Sequence, residues 1–150
     1  MWVHGVVLIF LFTPLHECIH RTAFRTRALN EAVAFLIGVL VLLPREYFRA
    51  FHFAHHRFTQ DPARDPELGS PKPANLRQWL WQVGGMPYWI AQARSTVAHA
   101  FGRAPESFYK DERQRRAVII EARIVLAIYA LVLLGSIATA STAALVYWVV

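Results

Sequence analysis

His52-Phe53-Ala54-His55-His56 is the stretch on which the reading of this chain turns. Its three imidazoles stand at i, i+3 and i+4, positions that share one face of an α-helix. Upstream, His16-Glu17-Cys18-Ile19-His20 repeats the i, i+4 spacing. Five of the seven histidines fall in these two clusters, and both clusters abut long apolar segments. Packing alone gives no reason to gather five titratable rings. Neutral imidazole is a common ligand for zinc, copper, iron and nickel. The pattern points to a metal site built where membrane helices meet water.

The composition supports the membrane. Of 150 residues, 55% are hydrophobic and 17% charged, against about 25% charged in ordinary globular domains. Mean hydropathy is +0.29, and the apolar residues are segregated into runs, as in a bilayer protein. The formal charge of +6 comes mostly from arginines that flank those runs. They read as positive-inside anchors rather than a nucleic-acid surface. A single cysteine, Cys18, permits neither an internal disulfide nor a thiolate zinc cluster.

Outward from the histidines, the chain reads as all-α and integral to a membrane. Residues 2–15 are apolar apart from His4 and Thr13, and resemble the inner end of a span. His4 reads as a lone, neutral helix histidine. Pro14 is expected to bend or break the helix just before the first histidine pair. Arg21, Arg25 and Arg27 mark the emerging side, cytoplasmic by the positive-inside rule. Residues 28–43 form a second apolar run closed by Pro44. A single crossing there would separate the two histidine clusters, so we read it as a re-entrant or interfacial helix. Asp61-Pro62 ends the helix that carries the central cluster, and a proline-rich loop follows to Pro73. Asn75 is a candidate cap for the next helix. Residues 76–109 mix tryptophan and tyrosine with arginine and glutamine and are broken at Gly84-Gly85 and Pro87. That is interfacial chemistry, and His99 within it reads as a surface histidine. Residues 124–150 carry no charge. Gly135-Ser136 and Ser141-Thr142 imply a turn between spans at about 117–135 and 140–150.

Three chemistries fit the histidines. His16-Glu17-Cys18-Ile19-His20 matches H-E-x-x-H, which in zinc peptidases supplies two ligands and a general base. An intramembrane zinc protease would leave His52, His55 and His56 without a role. A two-iron centre would use both clusters and could draw hydrogen from an unactivated C–H bond with O₂. A non-enzymatic metal-binding or transport protein would load metal without consuming O₂.

The order His16-x-x-x-His20, His52-x-x-His55-His56, Arg57-Phe58-Thr59-Gln60-Asp61-Pro62 and Asp65-Pro66-Glu67 resembles the membrane fatty acid desaturases. Residues 30–44 between the clusters, and the run of spans that follows, are similar too. The resemblance implies a membrane-bound, O₂-dependent two-iron oxidoreductase acting on a lipid acyl chain. It also implies an electron donor of ferredoxin or cytochrome type. Membrane hydroxylases and ketolases share the motifs. By the same resemblance His16, His20, His52, His55 and His56 are iron ligands, with Glu17, Asp61 and Asp65 as acidic neighbours able to orient imidazoles. Asp61 and Asp65 read equally well as turn and cap residues, and Arg49 and Arg57 as headgroup or structural contacts. Family members carry a third H-x-x-H-H box, which these residues do not contain. The expectation is a single desaturase-like domain incomplete at both ends, with too few ligands for turnover by itself.

Overall fold

The computed structural model describes residues 6–7, 9–69 and 72–143. His4, the start of the first span and most of the span expected at 140–150 lie outside them. Among the described residues there is no strand. The elements are α1 (Phe12–His20), α2 (Arg27–Leu40), α3 (Arg45–Phe58), a 3₁₀ turn (Pro66–Gly69), α4 (Leu76–Val83), α5 (Met86–Ala100) and α6 (Glu112–Ala138).

Pro14 does not interrupt the helix where the sequence places a break. The interruption falls three residues earlier, at Leu11, so Pro14 occupies the first turn of α1. There its missing N–H has no intrahelical partner to lose. After His20 the chain reverses abruptly. The Arg21 N–H donates to the Cys18 carbonyl and the Thr22 N–H to the Glu17 carbonyl, at 3.1 and 3.0 Å. This is the paired bonding that usually closes over a left-handed glycine. Arg21 takes that place at φ 62°.

Buried Asn30, near the start of α2, ties down the chain that enters the helix. Its Nδ2 donates to the Phe24 and Thr26 carbonyls and its Oδ1 accepts from the Phe24 N–H. A tight turn ends α2. Leu43 N–H donates to the Gly38 carbonyl at 2.8 Å, and Leu42 is left-handed at φ 54°. A Cβ on residue 38 would come within 2.7 Å of the Leu43 carbonyl oxygen, so glycine is required. Beyond Pro44 the chain turns by 101° into α3. Leu15, Cys18 and Ile19 of α1, Ala34 and Ile37 of α2, Leu43 of the turn and Phe48 of α3 bury one another in a shared core. Removing such side chains from water is the main stabilising contribution, about 1.5–3 kcal/mol for each large one.

Asn75 caps α4, accepting from the Gln78 N–H at 3.0 Å. Leu76, Trp79, Leu80, Trp81 and Val83 of α4 are exposed, and the helix buries none of its residues. The break before α5 comes at Gly84-Gly85, as the sequence implies, with Gly85 at φ 75°. Asp111 caps α6 by accepting from Gln114 N–H. α6 has 27 residues and is long and apolar enough to cross a membrane. It continues through Gly135-Ser136 to Ala138, and the chain turns at residues 139–142, within the stretch that the sequence brackets. Glycine and serine in mid-helix cost propensity but do not by themselves end a helix. Val118, Ala122 and Val125 pack inward, whereas Leu131, Leu133, Leu134 and Ile137 are exposed. The Tyr88 and Tyr129 hydroxyls donate to the Val41 and Val39 carbonyls, tying α5 and α6 to the end of α2.

Candidate metal centre

The α1–α2 reversal and the 101° bend into α3 bring the two histidine clusters face to face. The ligand-capable atoms of His16, His20, His52 and His56 all lie within 4.8 Å of one another. His52 is central. Its Nε2 lies 3.0 Å from His20 Nε2 and 3.0 Å from His56 Nε2. Phe48 stacks on the buried His52 ring at 5.2 Å, and Phe12 packs on Phe48 at 5.4 Å. His16 and His20 are half-buried and His56 is exposed, so the cluster opens on one side.

The i, i+4 members of the central cluster therefore converge on α1, and the i+3 member does not. His55 turns to the loop after α3. Its Nδ1 meets Asp65 Oδ1 at 2.9 Å and Glu67 Oε2 at 3.4 Å. Asp65 is itself buried and accepts from the Gln60 and Glu67 N–H groups. At the first cluster Glu17 Oε1 meets His16 Nδ1 at 3.0 Å, and Thr22 Oγ donates to Glu17 Oε2 at 2.6 Å.

Electrostatics set the protonation of these rings. Burial, then the neighbouring imidazoles, push His52 down to about 4. Burial also lowers His20, with His16 and His56 adding to it. Both rings are neutral near pH 7, the form that binds metal. The Asp65 hydrogen bond raises His55 against the opposing effect of desolvation. The Thr22 and His16 hydrogen bonds hold Glu17 below the usual carboxylate range. Burial works to raise Asp65, but His55 and two backbone N–H groups outweigh it and hold it low. An ionised carboxylate only accepts. The Nδ1 of His16 and of His55 must then carry the proton, which leaves each Nε2 lone pair free for an ion.

Other residues singled out in the sequence lie elsewhere. Asp61 serves the loop, with Oδ1 accepting from Ala63 N–H and Oδ2 from Arg64 Nε. Arg57 lies over the Phe58 ring, and Arg49 pairs with Glu31 and Glu46. His99 is not a surface histidine. It is 2% exposed and its Nε2 meets Glu106 Oε1 at 2.7 Å. Loop closure over α5 buries it, and spacing along the chain carries no signal for that. Glu67, which faces both His55 and His52 Nδ1, was legible only as part of Asp65-Pro66-Glu67.

The cluster fits a metal by the chemistry of its donors. One neutral imidazole nitrogen cannot satisfy two others at 3.0 Å by hydrogen bonding alone, because each ring offers one donor and one acceptor. Two nitrogens bound to one ion at right angles, each about 2.1 Å away, would lie about 3 Å apart. No thiolate joins the set: Cys18 is buried in the apolar core behind the histidines. An all-imidazole set suits zinc, copper, iron or nickel.

Comparison with known proteins identifies the lineage. The family model described as "Fatty acid desaturase" matches residues 1–150. The sn-1 oleoyl-lipid 12-desaturase of Picosynechococcus is 27% identical over 129 residues, 81% of this chain and 36% of that protein. The Delta(12) acyl-lipid conjugase of Momordica charantia is 32% identical over 78 residues, covering 52% of this chain and 19% of that protein. The Delta(12) fatty acid desaturase of Mortierella isabellina is 28% identical over 65 residues, 43% of this chain and 16% of that protein. The chain thus spans about a third or less of the length of these curated relatives. No solved structure matches it. A family match along the whole chain, on a fold that gathers both histidine clusters, leads to one conclusion: this chain belongs to the fatty acid desaturase family.

Proposed function

We propose that this chain carries the first two histidine boxes of a membrane-bound, O₂-dependent two-iron desaturase of lipid acyl chains. The observation that supports the reading best is the meeting of His20 and His56 on His52 Nε2, each at 3.0 Å, in a chain of this family. Bound iron would supply the oxidation of an unactivated C–H bond with O₂ and two electrons. The residues do the rest. His16, His20, His52 and His56 offer the nitrogen donors of one shell, and His55 offers a further Nε2. Asp65 and Glu17 fix the tautomers of His55 and His16, and Glu67 supports the His52–His55 side. Asp61 acts only in the loop. By the family resemblance, a third H-x-x-H-H box of the whole protein would complete the ligand set. On this reading the 150 residues alone bind metal and do not turn over.

The membrane arrangement is part of the proposal. α6 spans the bilayer. The α2–α3 bend is re-entrant, entering and leaving on one face. The exposed aromatic residues of α4 and α5 lie at headgroup depth, where tryptophan and tyrosine accumulate. Arg21, Arg25 and Arg27 put the histidines on the cytoplasmic side. There an acyl chain reaches the site from the bilayer and an electron donor of ferredoxin or cytochrome type reaches it from water.

Glu17 argues against the zinc peptidase. Its two carboxylate oxygens are engaged by His16 and Thr22, and two further histidines converge where a peptidase would leave water room to attack. The test is expression of the whole protein, with its reductant, in a host lacking polyunsaturated lipids. New carbon–carbon double bonds that vanish in His52→Ala support the reading. Hydroxylated lipids would reassign the reaction within the family, and unchanged lipids from iron-loaded protein would overturn it.

A further inference from the structure

One ion network lies beside the histidines and none of the chemistry above uses it. Glu31, early in α2, is its hub. Its Oε1 lies 3.3 Å from both Arg21 Nε and Arg21 Nη2. Its Oε2 lies 2.8 Å from Arg49 Nη2 and 3.4 Å from Arg45 Nη1. Arg45 Nη1 also donates to the Glu31 carbonyl at 2.9 Å. The two oxygens therefore serve two different parts of the chain. Arg21 is the residue after His20, held left-handed at φ 62°, a conformation that non-glycine residues rarely adopt. Arg49 stands three residues before His52, one helical turn away, and its Nη1 reaches Glu46 at 2.7 Å.

The two arms differ in weight. The Arg49 side chain is 11% exposed and that of Glu31 19%, so this pair is shielded from water. Arg21 is 44% exposed, and a pair that open is worth little by itself. Without Glu31, Arg49 keeps Glu46 at 2.7 Å but loses its tie from α3 back to α2. Breaking Glu31 therefore disturbs α3 first and the Arg21 reversal second.

We propose that Glu31 is a positioning residue for the metal centre: its carboxylate braces the reversal after His20 and the turn of α3 before His52, holding the two histidine pairs face to face. The inference rests on the metal-centre reading given above. Among the described residues Glu31 touches no imidazole, and it acts through Arg21 and Arg49.

The experiment titrates cobalt(II) alone into the detergent-solubilised chain and its variants. Visible absorption reports affinity and coordination, and circular dichroism reports the thermal midpoint. Glu31→Gln removes the hub charge. Arg49→Lys keeps the charge but loses the fork that reaches Glu31 and Glu46 together. Tyr109→Phe deletes a hydrogen bond to Glu106 away from the network and serves as a loss of stability alone. The expected result is a loss of cobalt affinity of about tenfold in Glu31→Gln, the lower end for residues that orient ligands. Arg49→Lys should shift the same way, and Tyr109→Phe should retain wild-type affinity. Wild-type affinity in folded Glu31→Gln overturns the inference, as does wild-type affinity in Arg49→Lys if Glu31→Gln fails to fold. An equal loss in Tyr109→Phe also overturns it, because affinity would then follow stability and not position. A wild-type chain that takes up no cobalt overturns the metal-centre reading itself.

Discussion

His52 and His55 belong to one five-residue motif on α3, yet their rings sit in opposite surroundings. His52 faces His16, His20 and His56, with no carboxylate within ion-pair distance except Glu67 at 4.0 Å. His55 faces Asp65 at 2.9 Å and Glu67 at 3.4 Å. Burial and like neighbours drive His52 to about 4, whereas Asp65 drives His55 upward. One side of the helix thus gathers imidazole donors around His52, whose burial holds it neutral. The other is an imidazole already paired and aimed by a carboxylate. The contrast teaches that spacing on a helix selects a face, and that the loop folded over the helix end then assigns each ring its task.

The largest effect is expected at the hub of the histidine cluster. His52→Ala should abolish metal uptake by the four-imidazole set, a loss beyond the roughly 100-fold upper figure for orienting partners. Isothermal titration with iron(II) or cobalt(II) checks it, and retained affinity would dissolve the contrast. On the paired side, Asp65→Asn should act mainly on stability. It weakens an acceptor for His55 and for the Gln60 and Glu67 N–H groups, so the fold should lose stability. Urea unfolding measures that loss, and the four-imidazole site should keep its affinity within about threefold of wild type, well short of an orienting-partner effect.

Acid should separate the two rings. Folded His52 binds fewer protons than the unfolded chain between its ordinary value of 6.5 and about 4. Its contribution therefore favours the metal-free fold above pH 6.5 and is lost as pH falls through that window. His55 has the opposite sign. Its raised value stabilises the fold below 6.5, and that contribution fades as pH rises through the folded pKa. Urea midpoints across pH 7 to 4 should fall in wild type, and His52→Gln should flatten the fall. Equal slopes would mean that the cluster is open to water. The smallest effect belongs to Glu17. Its Gln variant keeps an acceptor for His16, so metal affinity should stay within about threefold. Complete loss of activity in the whole protein with metal retained would instead mark a general base and revive the peptidase.

The sequence made some of this legible and hid the rest for physical reasons. Helical spacing placed the His16/His20 and His52/His56 pairs on their faces, and Pro44 marked where the apolar run gives way to α3. The division within the central motif was hidden, because Asp65 and Glu67 reach His55 through a loop that turns after Phe58. Asp61 and Asp65 looked alike on paper. The structure gives one to Arg64 and the other to His55. Buried partners were hidden altogether. His99 finds Glu106, and Glu31 finds arginines 10, 14 and 18 residues away, by tertiary packing that no local pattern reports. The end of α6 falls a few residues past Gly135-Ser136, because propensity is a weak prior against so apolar a helix.

On the proposed reading, the two histidine pairs form one metal shell. X-ray absorption at the iron edge of the iron(II)-loaded chain, beside His52→Ala, tests that most directly. The prediction is a shell with at least three imidazoles at about 2.1 Å, collapsing to oxygen donors when His52 is removed. A spectrum without imidazole scattering, or one unchanged in His52→Ala, would contradict it.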